Sequence, residues 1–397
     1  MKYFKKNKYR KKWSTVGRFV FGFHIICLLV LPPYFFLSPP SLLLLLLFLI
    51  VTTATGLGIT AGYHRLYSHS SYNLNKIAEG VILFFATMAT QGSALKWSYD
   101  HRLHHQYTDK EGDPYNIKKG FIYAHILWMF DKQRIIDKKI VPDLLKNRLV
   151  LFQDKFYIHL VIFTNTIISL LIGWITADYL GAFIFCWLFR LFVTYHATWF
   201  INSAAHYWGE QSYSRELSAR DNMVVAFLTF GEGYHNYHHT FPADYRNGVR
   251  SLHFDPSKWL IWSLSKVGLA SGLKKFHTES IMDKLIRLDT NLLMRKASRL
   301  EKNKKLIKKF WKKHPFKKHN SLQGYIKKVS ETIQERRTEI KKLIEEYKIL
   351  RKENKTENKR KRQAIKFRLK RSKRAYQAEW RRWSSVCKIL LKTKIMQ

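Results

Sequence analysis

The stretch "IAEGVILFFATMATQGSALKW", residues 77–97, decides how this chain folds. It is apolar enough to be taken for a membrane span. Its apolar core, however, is only about a dozen residues before Gln91, Gly92 and Ser93 interrupt it, short of the roughly 20 that a bilayer requires. Histidines flank it on both sides: His64 and His69 in "HRLYSH" before it, and His101, His104 and His105 in "DHRLHH" after it. If 77–97 spanned, these two groups would face opposite sides of the membrane. As a re-entrant or interfacial helix it leaves them on one side, where they can meet.

Four other stretches are long and apolar enough to cross: 19–37, 41–62, 157–177 and 180–201. They make two helical hairpins. The first is too long, and the basic arm before it too large, for a cleaved signal peptide, so it reads as an anchor. Residues 1–18 carry eight Lys/Arg and no acid, which places that arm in the cytoplasm, and four spans return the tail to the same side. The expected fold is an all-α integral membrane protein: four transmembrane helices with the histidine motifs at their cytoplasmic mouth, and a basic helical or coiled-coil tail. Its parts are the arm 1–18, the membrane domain 19–272 and the tail 273–397. Both termini and the histidine face are expected to be cytoplasmic, on a bacterial inner membrane or the endoplasmic reticulum.

Of the chain's 70 Lys/Arg and 28 Asp/Glu, 41 basic and 12 acidic residues follow Leu273. No nucleic-acid motif accompanies them, so the charge reads as a solvated segment drawn to anionic surfaces rather than a nucleic-acid reader. Ile326, Val329, Ile333, Ile340, Leu343, Tyr347 and Leu350 alternate three and four apart, with Arg336 in the one missing place. That spacing predicts a coiled coil or helical hairpin. Beyond Arg351 the sequence is too basic for a core and predicts a partly disordered helix near anionic lipid, or a docking arm. Three scattered cysteines without CxxC spacing exclude a disulfide framework or a Cys-ligated zinc site.

A third histidine group, His235, His238 and His239 in "GEGYHNYHHT", repeats the spacing of 101–105. On a helix, positions i, i+3 and i+4 share a face, while adjacent residues diverge by about 100°. Neighbouring rings can therefore serve different ions, and eight clustered histidines exceed what one four-coordinate ion uses. Imidazole suits iron, zinc and copper. In "NSAAH", Asn202 lies one turn before His206, close enough for its amide to hold a metal-bound water. His24, His125, His159, His196, His253, His277, His314 and His319 lie outside these boxes and read as structural or solvated.

"HRLYSH", "DHRLHH", "ATWFINSAAH" and "GEGYHNYHHTFPADY" resemble, in order, the histidine boxes of the integral-membrane fatty acyl desaturases of the stearoyl-CoA desaturase type, over roughly residues 13–265. The resemblance implies a cytosolic helical cap holding a histidine-rich di-iron centre on His64, His69, His101, His104, His105, His206, His235, His238 and His239, with Asn202 reaching one iron through water. Asp100, Asp109, Asp113 and Glu232 are candidates to orient ligand rings. The resemblance further implies a kinked acyl tunnel fixed by Gln91, Trp97 and Thr198, with Trp199 near the thioester and Asp100 and Lys132 at headgroup contacts. The implied reaction is dioxygen-dependent cis desaturation at delta-9 of a saturated acyl-CoA, in unsaturated fatty acid biosynthesis. An unactivated methylene has no acidic proton, so a metal and a shielded site must supply the chemistry.

The chain departs from that family at the headgroup: Tyr99 stands where the animal enzymes have Arg, Gly92 where they have Asn, and Gln133 replaces a basic residue. An acyl-CoA could still be held by Lys118, Lys119 or Lys132, with an acyl carrier protein or membrane lipid as alternative carriers. No "HPGG" cytochrome loop or Cys-ligated iron–sulfur motif occurs, so a separate electron donor, of cytochrome b5 or ferredoxin type, is expected. Two rivals share the ligands or the spans: a membrane di-iron hydroxylase or sterol-modifying enzyme, and a metal transporter. Transport calls for ligands within the spans, whereas these clusters flank them.

Overall fold

The computed structural model describes residues 13–303, 307–308, 321–352 and 358–392. Residues 1–12 of the basic arm, and His314 and His319, lie outside them. The chain divides into two compact units, Met1–Phe276 and His277–Gln397.

In the first unit four helices have the length and hydropathy to cross a membrane: α1 (Thr15–Leu37), α2 (Leu42–Ser68), and two later ones. Side chains start both of these: Ser14 Oγ accepts from Gly17 N and Ser41 Oγ from Leu44 N. Their outer faces remain apolar and exposed, with Leu28, Leu29, Phe36, Leu42 and Leu49 turned outward as a lipid-facing surface requires. Their inner faces meet in a core where Val20, Phe23 and Cys27 pack with Phe48, Val51, Phe185 and Leu191.

α2 outruns its sequence-derived end at 62. It is α-helical over Leu42–Leu57 and continues as a wide π-helical segment, Gly58–Ser68, which carries His64 beyond the apolar stretch. Gly58 lets the helix of residues 76–88 lie close against this segment: a Cβ on Gly58 would lie 2.5 Å from the backbone nitrogen of Ala86. Gly58→Val is therefore expected to force the two helices apart and cost about 1–3 kcal/mol, as overpacking does. Thermal unfolding in detergent checks this, and an unchanged midpoint would refute the close approach.

Residues 77–97 are not one helix. α3 (Lys76–Met88) is 13 residues long, about 20 Å, too short to cross. The chain then turns, with Thr90 and Gly92 at φ 53° and 95°, and α4 (Ala94–Tyr107) starts from the Ser93 cap. The break falls at the Gln-Gly-Ser interruption, where Gly92 takes a φ that favours glycine. α5 (Arg148–Lys155) leads into α6 (Tyr157–Thr176), which turns at Ala177 into α7 (Tyr179–Tyr207). Two short helices, α8 (His235–Thr240) and α9 (Pro256–Lys266), follow among others. The two-residue strands β1 (Asn73–Leu74) and β2 (Ala270–Ser271) pair antiparallel, tying the end of the unit to the segment after the first histidine box.

Arg190, within α7, is fully buried. It neither snorkels nor faces lipid: its guanidinium donates to Met88 O at 3.2 Å, to Thr55 Oγ1 at 3.3 Å and to Asn165 Oδ1. It thereby pins the end of α3 against three spans. These acceptors answer the cost of a cation at membrane depth.

Among its described residues the second unit holds the long helices α10 (Thr278–Lys302), α11 (Leu322–Lys352) and α12 (Asn358–Lys392). Ile286, Leu293, Ile326, Val329, Ile333, Trp383, Val386 and Leu390 form its core. Two expectations are corrected here. Arg336 is exposed and pairs with Glu339, and it is Arg337 that turns inward, because seven residues in a straight helix drift from a strict heptad. The basic stretch after 357 is a continuous helix that does contribute to a core, through Trp383, Val386, Cys387 and Leu390. The cations are long enough to leave one face while these apolar residues share the other.

Candidate metal centre

The boxes assemble into two groups of convergent ring nitrogens: His64, His69, His101, His105 and His238 in one, and His104, His206, His235 and His239 in the other. All nine expected histidines are in these groups, and the adjacent pairs divide between them. His104 and His105 point to different groups, as do His238 and His239. This is the helical divergence of neighbouring residues put to use. π-helical α2 supplies His64, α4 supplies 101–105, the turn after Ser203 releases His206, and α8 supplies 235–239.

Hydrogen bonds fix the tautomers. His64 Nδ1 lies 2.8 Å from Glu232, and His104 Nδ1 lies 2.9 Å from Asp113. His206 Nδ1 meets Ser218 Oγ at 2.6 Å, and Ser218 in turn donates to Asp109 at 2.5 Å. His104 and His206 donate through Nδ1, and the Glu232 carboxylate beside His64 Nδ1 favours the proton there, so each presents an Nε2 lone pair. Those lone pairs face further Nε2 atoms: His64 to His238 at 3.0 Å, His104 to His239 at 3.1 Å and His206 to His235 at 3.0 Å. His238 also faces His105 at 3.0 Å, and His235 faces His239 at 3.1 Å. One N–H satisfies only one such contact, so converging lone pairs at this separation fit cations placed between them. The donor set therefore fits two metal ions, as imidazole sites with oriented rings do.

The electrostatics agree. Burial lowers His69, His101, His105, His235, His238 and His239 well below the ordinary histidine value, and repulsion among neighbouring rings lowers them further. Neutral rings are what a metal requires. Burial alone would raise Glu232, but His64 and Arg65 outweigh it and hold the carboxyl below its usual range.

Three of the four candidate acids reach a ligand ring, Asp109 through Ser218. Asp100 does not: its carboxylate pairs with Lys96 one turn back on α4 at 2.5 Å. Several supporting residues escaped sequence reading. Arg65 bonds both Glu232 and Asp255 at 2.9 Å, and Tyr115 OH meets His101 Nδ1 at 3.2 Å. Asp221 Oδ1 accepts from the backbone of Asn236 and Tyr237, holding the start of α8. Only Arg65 carried a signal, a cation inside the first box.

A cavity of about 470 Å³ runs from His64 and His101 to the span walls at Val20, Ile59, Ile158 and Tyr195. Gln91, Trp97, Thr198, Trp199, Asn202 and Asp100 all line it. Gln91 donates to Thr198 Oγ1 at 2.9 Å and accepts from Trp97 Nε1 at 3.4 Å, so these three form one connected set. Lys132 is exposed and lies off the cavity wall, which its neighbour Gln133 lines instead. Lys118 and Lys119 bond Asp109 O and Tyr123 OH, also away from the cavity. Three histidines left as structural surround Trp199: His24 Nε2 meets His196 Nε2 at 3.2 Å, and His196 Nδ1 meets His125 Nε2 at 3.0 Å.

Membrane-length helices ending in two histidine groups, with a mainly apolar cavity leading to the five-histidine one, define an integral-membrane protein with donor sets for two metal ions beside an apolar cavity. The sequence model of the fatty acid desaturase family matches residues 4–257, and the chain belongs to that family. It is similar to acyl-CoA desaturase 1 of Saccharomyces cerevisiae, with 40% identity over 248 residues, 62% of this chain and 49% of that one. A probable acyl-CoA desaturase of Schizosaccharomyces pombe is 42% identical over 249 residues, 62% of this chain and 52% of that one. Human stearoyl-CoA desaturase 5 is 38% identical over 227 residues, 55% of this chain and 68% of that one. The chain thus spans about half the length of the two yeast relatives.

Proposed function

We propose that this protein is a dioxygen-dependent fatty acyl desaturase that introduces a cis double bond, at delta-9, into a saturated acyl-CoA. The observation that carries this is the continuity of the apolar cavity with the five-histidine group, through the bonded Gln91–Trp97–Thr198 set. Iron bound by the two groups would supply an oxidant strong enough to remove hydrogen from a methylene. The chain's own residues hold and shield the substrate. The Gln91 amide bridges α7 and α4 and fixes the wall beside which an acyl chain must pass, and Tyr195 and Trp199 close the apolar side. Acyl-CoA as carrier is supported by the names of the relatives. Electrons come from a separate donor of cytochrome b5 or ferredoxin type, and the histidine face and both ends of the chain lie in the cytoplasm.

Expression in a host that lacks its own desaturase, with iron and a compatible donor, tests this. New monounsaturated acids two mass units below their precursors are expected. A gain of sixteen units would make the protein a hydroxylase, and no new acid would overturn the proposal. Gln91→Leu removes both bonds of the bent wall while leaving the ligands in place. Misplacement of a bound substrate by about 1 Å can cost about 100-fold, so desaturation is expected to fall by roughly 10–100-fold with metal content unchanged. Product analysis beside iron determination checks both halves.

A further inference from the structure

The second unit lies beyond the matched residues 4–257, and its last helix presents a face that is exposed among the described residues. Arg360, Gln363, Ala364, Phe367, Lys370, Arg371 and Arg374 recur at three- and four-residue spacing on α12, and all are exposed. On the opposite side Ile365, Ser372, Trp383 and Val386 are buried. Phe367 is 71% exposed in the middle of this basic face, an expensive place for an aromatic ring in water. The whole helix, residues 358–392, holds 14 Lys/Arg against the single acid Glu379, and that acid is paired with Arg382 at 2.9 Å.

We propose that this face of α12 binds the surface of an anionic lipid bilayer, with Phe367 entering the headgroup region and Arg360, Lys370, Arg371 and Arg374 meeting lipid phosphates and carboxylates. A cationic helix face with an exposed aromatic is the chemistry of an interfacial helix, and the cations add attraction to acidic headgroups. The unit begins at His277, the residue after the unit that carries the four spans, so a bilayer is always within tether reach. That tether gives lipid an effective concentration that a soluble partner lacks. Single-stranded nucleic acid is held by stacking of successive bases on several aromatics, whereas this face offers one.

The test uses the full chain in lipid nanodiscs, either of phosphatidylcholine alone or with about 30% phosphatidylserine, and follows tryptic cleavage after Lys370, Arg371 and Arg374. Phosphatidylserine is expected to slow these cuts at least roughly tenfold, while cleavage after the exposed Arg336 of α11 keeps its rate. In the Phe367→Ser variant and the Arg360→Glu/Phe367→Ser double variant, which keep all three cleavage sites, the slowing should disappear, with helix content by circular dichroism unchanged. Equal rates in both discs would overturn the proposal. So would protection that needs added RNA or an acidic soluble protein, or equal protection at Arg336. None of these outcomes depends on desaturation, so the proposal stands or falls apart from the proposed activity.

Discussion

Replacing His238 with alanine is expected to abolish desaturation and to lower bound metal from about two ions per chain to about one or fewer. His238 Nε2 faces both His64 and His105 at 3.0 Å, so its loss opens the five-histidine group at its centre. Mutating a residue that merely orients a ligand typically costs about 10–100-fold in metal affinity or activity, so removing a ligand should cost at least roughly 100-fold. Metal analysis of the purified protein checks the first half and product formation the second. His159, exposed on α6 and outside both groups, supplies the control: His159→Ala should leave metal and activity at the parent level. A His238→Ala protein that keeps two ions would remove this residue from the ligand set.

The second large effect is on stability. Arg65 is 1% exposed and donates to Glu232, Asp255 and the Tyr245 carbonyl, while Asp255 also accepts from the backbone of Asn247, Gly248 and Lys258. Arg65→Met leaves two carboxylates buried beside a histidine group without their cation. Breaking a buried pair by removing one partner costs about 3–5 kcal/mol. At about 2–4 °C per kcal/mol for a unit of this size, the unfolding midpoint should fall by roughly 6–20 °C. Adding Glu232→Gln and Asp255→Asn should return part of it. The pH dependence follows from Glu232. Its carboxyl is held below its ordinary 4.5, so its contribution is complete above that value and is lost as pH falls through the lowered one. An Arg65→Met midpoint within a degree or two of the parent would show that the cluster is not held by this cation.

Much of the architecture was legible in local pattern. Runs such as 157–177 announce a span because a bilayer sets a length and an apolar composition that few other environments demand. The three-and-four spacing of 101–105 and 235–239 announces a shared helical face, and the adjacent histidines announce two groups rather than one. Less was legible wherever the deciding contact lies far along the chain. Ser218 stands between Asp109 and His206, but nothing around Ser218 marks it, since its role exists only once the segment after α7 folds back on α4. The same holds for Asp221, whose carboxylate holds the start of α8. Asp100 failed as a ring-orienting acid because Lys96, one turn away on its own helix, reaches it first.

By itself the sequence determined the four apolar helices, the short polar break that keeps 77–97 from crossing, and the nine histidines available to one side of the membrane. These follow from solvent and helix geometry, which act locally. The tertiary structure alone decided which ring nitrogens share a group, which carboxylate fixes which tautomer, and that Arg190 and Arg65 are interior cations satisfied by distant partners. It also decided that α2 runs on as a π-helix and that a Cβ-free Gly58 lets α3 lie against it. Those outcomes depend on distances between segments far apart in the chain, 190 residues for Arg65 and Asp255, and no local pattern encodes them.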